Sequence, residues 1–480
     1  MNKLQDLQPD KVFKYFEEIC SIPHSSGNMD KISKYCIDFA KEHNLKYICD
    51  DLKNVFIYKP GTKGYENSEP IILQGHLDMV CQKTNDSDID FENDGLDILT
   101  EGDFVFANKT SLGADNGIAV AMIMAILDSD DIPHPPLEAL FTTDEETGMF
   151  GASAFDTSLL NGRKMINIDS EEMNFVTVSC AGGCNLDIKM PFAKKRLHGK
   201  RITLSLDGLK GGHSGVEIDK GRVNANILMG RILSHLNKES DFGIININGG
   251  TKANAITPFC RAEIVTESPD ETKSILDSYF KIIKSEIFKR EENCSLSVCI
   301  ENDGDFDVLS PDSQDKLLFM LSTTPNGIID MSNEIPNLVE TSLNLGILET
   351  SVSSINMIYT LRSNKNSALT YLEEKMSMFA SYNGCEYKFG GRYLPWEFRE
   401  NSLLQTQYVN LFEKHFGYKP EVIAIHAGLE CAVFASKIND LDCISIGPDI
   451  FDIHTVNEKL SISSTEKIFT LLCDILFNSK

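Results

Sequence analysis

Ile71-Ile72-Leu73-Gln74-Gly75 runs straight into His76-Leu77-Asp78, Leu137-Glu138-Ala139-Leu140-Phe141 leads into Asp144-Glu145-Glu146, and Lys164-Met165-Ile166-Asn167-Ile168 ends on Asp169. Each is a short, largely apolar run that reads as a buried strand, and each ends in side chains able to bind a metal. Between the first two lies Ser111-Leu112-Gly113-Ala114-Asp115-Asn116-Gly117, which opens an apolar helical segment over 118–127. Buried strands alternating with helices build an α/β domain with a mostly parallel, helix-covered sheet, and in such a sheet ligands gather outside the carboxyl ends of the strands. These side chains therefore converge on one sheet edge. A set of His and carboxylates suits a hard or borderline divalent metal, zinc before manganese or cobalt.

Working outward, the spacing of apolar residues predicts helices over 9–20 and 32–42, strands over 47–49 and 54–58, and a further helix over 153–160. Beyond about residue 191 the pattern changes. A strand (201–206), a helix (224–236), two strands (243–247 and 259–266), a helix (271–288) and a strand (294–300) have the grammar of an antiparallel α+β layer. A similar cycle follows: helix 313–321, strands 341–348 and 353–362, helix 368–379 and strand 385–389. After Trp396 the first grammar returns, with helices over 403–416, 430–436 and 464–476 and strands over 421–425 and 443–446. Residues 1–195 and 392–480 are thus expected to form one catalytic domain. Residues 196–391 are expected to be an inserted α+β lid domain, and its two cycles suggest an internal duplication.

The chain has 480 residues, more than one typical domain needs. Its 71 acidic and 45 basic residues give a net charge of -26, without a Lys/Arg block, which argues against nucleic acid or an anionic membrane surface as partner. Thirteen cysteines are scattered, mostly through apolar segments and without a CxxC pair, which reads as reduced core residues. With no apolar run of membrane-spanning length and no leader-like start, the expectation is a cytoplasmic enzyme.

His76 and Asp78 stand two apart on a strand, hence on one face, so Asp78 can accept a hydrogen bond from the far nitrogen of a metal-bound His76 and fix its tautomer. Asp115 lies between Gly113 and Gly117; a carboxylate there can bridge two cations, and as a lone acid before a helix it would otherwise be an N-cap. Glu145 and Glu146 are adjacent, so their side chains diverge. One can bind metal while the other acts as general base and then delivers the proton to a leaving amine; the plain alternative is a solvated acidic loop. His454 follows the short strand that ends at Ile446-Gly447-Pro448 and can return to the same sheet edge. His76, Asp115, Glu146, Asp169 and His454 make five ligands, enough for two metals about 3.5 to 4 Å apart that share a carboxylate and a water or hydroxide.

In order and spacing, Leu73-Gln74-Gly75-His76-Leu77-Asp78-Met79-Val80, Leu112-Gly113-Ala114-Asp115-Asn116-Gly117, Thr143-Asp144-Glu145-Glu146-Thr147-Gly148 and Asn167-Ile168-Asp169-Ser170-Glu171-Glu172 give the chain a family likeness. It resembles the co-catalytic zinc metallopeptidases that include glutamate carboxypeptidase, the succinyl-diaminopimelate and acetylornithine deacylases and the carnosinase-like dipeptidases, and within them the subgroup that cleaves aminoacyl-histidine dipeptides. The resemblance implies a dipeptidase working through a metal-bridged hydroxide. His76 and Asp169 would hold one metal and Glu146 and His454 the other, with Asp115 bridging and its neighbouring peptide strained or cis. Glu145 would be the general base, and Asp78 the partner of His76.

The same resemblance makes His213, in Gly211-Gly212-His213-Ser214-Gly215, a stabiliser of the tetrahedral intermediate, with Asn254 its neighbour at the substrate. Arg362 and His426 would shape the pocket for the dipeptide termini, Arg362 pairing bidentately with the carboxylate. The implied partner is a small peptide, bound by a monomer or homodimer. Two rivals share the fold: a deacylase acting on N-acyl amino acids, and a non-catalytic binding protein. Two departures from the family pattern bear on substrate preference. His24 stands where an arginine is common, and Thr455-Val456-Asn457 follows His454 in place of Ser-Pro-Asp.

Overall fold

A computed structural model describes residues 3–480. The chain divides into two units: residues 1–180, 398–424 and 429–480 form the first, residues 181–397 and 425–428 the second.

The first unit is built on an eight-stranded sheet in the order Lys46–Cys49, Val55–Lys59, Leu137–Thr142, Ile71–His76, Lys164–Asn167, Asp442–Ser445, Phe175–Cys180, Glu421–Ile425. The central four strands are parallel to one another. Antiparallel strands extend the sheet on both sides, so the parallel part is its centre rather than most of it. Burial explains the division. Ile71–His76 and Leu137–Thr142 are buried at every position, as strands covered on both faces must be, whereas Lys46–Cys49 at the edge is mostly exposed. The pairing of His76 with Thr142 and of Gln74 with Asn167 brings the carboxyl ends of these strands to one level. Every loop that leaves this edge starts from the same place.

Helix Ala114–Leu127 is apolar nearly all round and buried at all positions but Asp115, which suits a helix enclosed within a unit rather than lying on its surface. Gly75 lets the neighbouring strand approach it: a Cβ there would stand 2.5 Å from Asn116 Oδ1 and 2.8 Å from Ala119 Cβ. The helix expected over 153–160 is replaced by Phe150–Ala154 and a 3-10 turn, Thr157–Leu159. The cause is Asp156, whose side chain accepts from the Ser158 amide and competes with helix continuation. A four-stranded sheet, Ile450–Phe451, Lys459–Ser461, Phe104–Ala107, Ile98–Glu101, completes the unit and frames the turn that carries His454.

The second unit is a nine-stranded antiparallel sheet with four long helices. One half has the order Gly243–Gly249, Cys260–Thr266, Lys194–Asp207, Ser295–Leu309; the other has Val339–Thr350, Ser354–Ser363, Gly182–Pro191, Glu386–Tyr393. Strand for strand the two halves have the same connectivity, β-α-β-β-α-β, and they join where Gly249 pairs with Leu348. The second half takes its first strand, Gly182–Pro191, from upstream of the whole first half. This strand was absent from the sequence expectation, and for that reason the unit begins at residue 181 rather than 196. Its core is continuous through both halves, with Leu186, Ile188, Leu204, Ile264, Leu345 and Tyr359 all inaccessible.

Candidate active site

His76 is the last residue of its strand, and Asn116 Oδ1 accepts its backbone N–H at 3.1 Å. Its Nδ1–H is directed to the backbone carbonyl of Asp78 at 2.9 Å, while the Asp78 carboxylate stands at 3.6 Å. The tautomer is therefore set by the carbonyl of Asp78 more than by its side chain, which corrects the sequence expectation. The carboxylate of Asp78 has another task. It accepts from Ser26 Oγ at 2.8 Å and from the amides of Glu145 and Glu146 at 3.0 and 3.3 Å, and so holds the turn that presents both glutamates.

On its other side, Nε2 of His76 faces Asp115 Oδ1 at 3.1 Å and Asp169 Oδ1 at 3.5 Å. His454 Nε2 faces the other oxygen, Asp115 Oδ2, at 3.1 Å, and Glu146 Oε1 at 2.8 Å. The two oxygens of Asp115 thus each serve one imidazole, and each imidazole has one further carboxylate. Asp115 is no N-cap. Its side chain caps nothing, and its backbone and that of Asn116 are non-helical, with a cis peptide between them. His454 is held with a left-handed φ of +59°, rare for a residue with a side chain, on the tight turn between two short strands. It is also the open side of the group: its side chain is 41% exposed against 2% for His76.

The electrostatics follow from that crowding. Burial works against a charged His76, but hydrogen bonds to Asp115 and Asp169 push its pKa well above the usual imidazole value. Hydrogen bonds that His454 donates to Asp115 and Glu146 raise it to about 10. Burial alone would raise Asp115, yet the two imidazoles hold it far below the ordinary carboxylate range. Burial raises Glu145, Glu146 and Asp169. Carboxylates packed against imidazoles, with donors of His76, Asp115 and Glu146 all within 4.8 Å of one another, make a donor set that fits divalent cations.

In the second unit, His213 Nδ1 accepts the amides of Gly215 and Val216 at 3.2 and 3.1 Å, so its proton sits on Nε2. Asn254 holds the same loop through its backbone carbonyl, which accepts from Ser214 at 2.9 Å. Arg362 is buried; it donates to Tyr393 Oη at 3.0 Å, and its Nε has no partner. His426 is buried between Ser342 Oγ, 2.7 Å from Nε2, and Asn364 Oδ1, 3.1 Å from Nδ1. Burial and the Arg362 charge push His426 down to about 3 and lower His213, so both rings are neutral. Gly215 marks where the three meet: a Cβ there would lie 2.3 Å from the His426 carbonyl, 2.9 Å from the His213 ring and 3.2 Å from Arg362 Nε. His24 is buried with Nδ1 on the carbonyl of Ile22.

Sequence reasoning missed three residues of this region. Asn116 ties His76 to the carbonyl of Ile168. Glu430, fully buried, accepts from Gln74 and Thr142 behind the strand ends. Glu458 receives four consecutive amides of the 112–115 loop. Asn116 stands within the Leu112–Gly117 motif with no role read from it, and Glu458 is an acid four residues after His454.

The chain is 35% identical to the cytosol non-specific dipeptidase of Escherichia coli over 99% of both chains. It is similar to the crystal structure of aminoacylhistidine dipeptidase from Vibrio alginolyticus, with a TM-score of 0.91 and 34% identity over 99% of this chain and 97% of that one. An aminopeptidase of Bacillus cereus shares the fold, with a TM-score of 0.58 at 14% identity, over 98% of this chain and 99% of that one. Residues 72–478, the span from the strand that ends at His76 to the final helix, match the peptidase family M20/M25/M40, and the chain belongs to that family of hydrolases.

Proposed function

We propose that the chain is a metal-dependent dipeptidase that holds two divalent cations, zinc first, and cleaves short peptides of the aminoacyl-histidine kind. The observation that carries the reading is the division of Asp115 between His76 and His454, each with its own second carboxylate, Asp169 or Glu146. The names of two relatives, a non-specific dipeptidase and an aminoacylhistidine dipeptidase, support the substrate class. Bound there, the cations would supply a water of lowered pKa and polarise the scissile carbonyl.

The chain's own residues do the rest. Glu145, raised by burial and held in place by Asp78, takes the proton of the attacking water and hands it to the leaving amine. Arg362, with its unpaired Nε, is suited to the carboxylate of a dipeptide, and His213 carries an Nε2–H able to donate to an oxyanion. Asn254 and His426 fix the loops around these two groups.

The test is turnover of a panel containing β-alanyl-histidine, leucyl-histidine and N-acetyl amino acids by wild type and Glu145→Ala, with bound metal counted in both. Cleavage of dipeptides that falls by about 100-fold or more in the variant while its metal content is kept is the expected outcome. Turnover of the acylated amino acids alone would make the chain a deacylase.

A further inference from the structure

The loop that carries Asp115 does not hold itself. Gly113 sits at φ +67°, and from Leu112 to Asp115 four successive amides turn to one side. All four donate to a single carboxylate: Leu112 and Gly113 to Glu458 Oε2 at 2.7 and 3.0 Å, Ala114 and Asp115 to Glu458 Oε1 at 2.8 and 3.3 Å. Glu458 is 3% exposed, so water does not take its place. Leu112 and Gly113 lead into helix Ala114–Leu127, and Ala114 and Asp115 open it; amides at such an entrance otherwise lack partners and favour a negative charge. An acid from elsewhere in the chain thus does the work of an N-cap, and this releases the side chain of Asp115 from capping.

Glu458 lies four residues after His454, on the same turn, and its own amide donates to the carbonyl of Thr455 at 3.3 Å. One side chain therefore ties the loop of Asp115 to the turn of His454. The 3.1 Å approach of these two residues is made by segments more than 300 positions apart in the chain. We infer that Glu458 is the positioning residue of this site, holding Asp115 and His454 at the separation at which both can engage one cation. The inference rests on the metal-site reading above.

An amide at 458 would offer one acceptor oxygen and turn its NH2 toward two of the four amides, so Glu458→Gln removes the function while nearly keeping the shape. Glu458→Gln, Glu458→Ala and Asp115→Ala are prepared as full-length, metal-stripped proteins. Zn²⁺ binding is measured by calorimetry, melting of the metal-free proteins by circular dichroism, and kcat and KM on a dipeptide after reloading. The expected result for Glu458→Gln is Zn²⁺ binding about 10- to 100-fold weaker, kcat lowered with KM within about twofold, and a cooperative melt in the absence of metal.

Wild-type Zn²⁺ affinity in both Glu458 variants, with loss of affinity in Asp115→Ala, would overturn the inference and leave the site reading standing. Wild-type affinity and stoichiometry in Asp115→Ala would instead remove the site reading itself, and the inference with it. If both Glu458 variants lose metal only in proportion to the protein that has unfolded, Glu458 serves folding alone and the inference is wrong.

Discussion

Asp115 shows how much one residue's setting decides. Taken with its neighbours in sequence it is an acid at the start of a helix; in the fold its two oxygens face His76 and His454, and a distant carboxylate caps the helix instead. His454 is the more exposed of the two imidazoles, and its replacement is the cleaner probe of the pair. His454→Ala should lower the bound metal from two ions to one by elemental analysis while the far-ultraviolet spectrum is unchanged. Glu430 gives a second residue-scale prediction. Burial raises its pKa from 4.5 to about 8, and it keeps two hydrogen bonds in the folded chain. Between those values the folded state holds a proton that the unfolded state releases. Its contribution to stability is therefore full below about pH 4.5 and is lost as pH rises through 8. Glu430→Gln, which cannot ionise, should flatten that part of the stability profile in urea titrations from pH 5 to 8.

Among the elements, the strand Ile71–His76 and the helix Ala114–Leu127 are set against each other by Gly75. A methyl group there would have to displace Asn116, whose side-chain oxygen accepts the amide of His76. Gly75→Ala should cost about 1–3 kcal/mol by overpacking, read as a lower urea midpoint, and should weaken Zn²⁺ binding although no ligand is changed. These two elements were legible because their patterns are local: a continuous apolar run for a strand covered on both faces, and an all-round apolar helix. The strands Ile98–Glu101, Phe104–Ala107 and Phe175–Cys180 were not expected. The first two are four residues each, shorter than a periodic signal needs, and Phe175–Cys180 mixes apolar residues with Thr177 and Ser179.

For the molecule as a whole, no helix among the described residues is long and apolar enough to cross a membrane. No disulfide joins cysteines among the described residues. The five proposed ligands belong to one unit, although His454 comes from its last chain segment and the others from its first. Cations that bind the folded form alone stabilise it by about 2.7 kcal/mol at a hundredfold excess over Kd. A chelator should therefore lower the melting transition of the first unit and leave that of the second unmoved, as separate transitions in scanning calorimetry would show. In the second unit, Arg362→Lys should raise KM for dipeptides about tenfold or more with little change in bound metal, because an ammonium cannot pair with a carboxylate through two parallel N–H groups.

By itself the sequence determined the apolar strands and the imidazole and carboxylate side chains at their ends, since each lies within a dozen residues of its own signal. Family likeness then divided those residues into roles. Tertiary structure decided what depends on backbone groups meeting across long stretches of chain. It placed Gly182–Pro191 in the half-sheet completed by Glu386–Tyr393, turned the carbonyl of Asp78 rather than its carboxylate to His76, and brought Glu458 under the amides of residues 112–115. Backbone donors and acceptors are the same for nearly every residue type, so their partners leave no mark in the order of side chains.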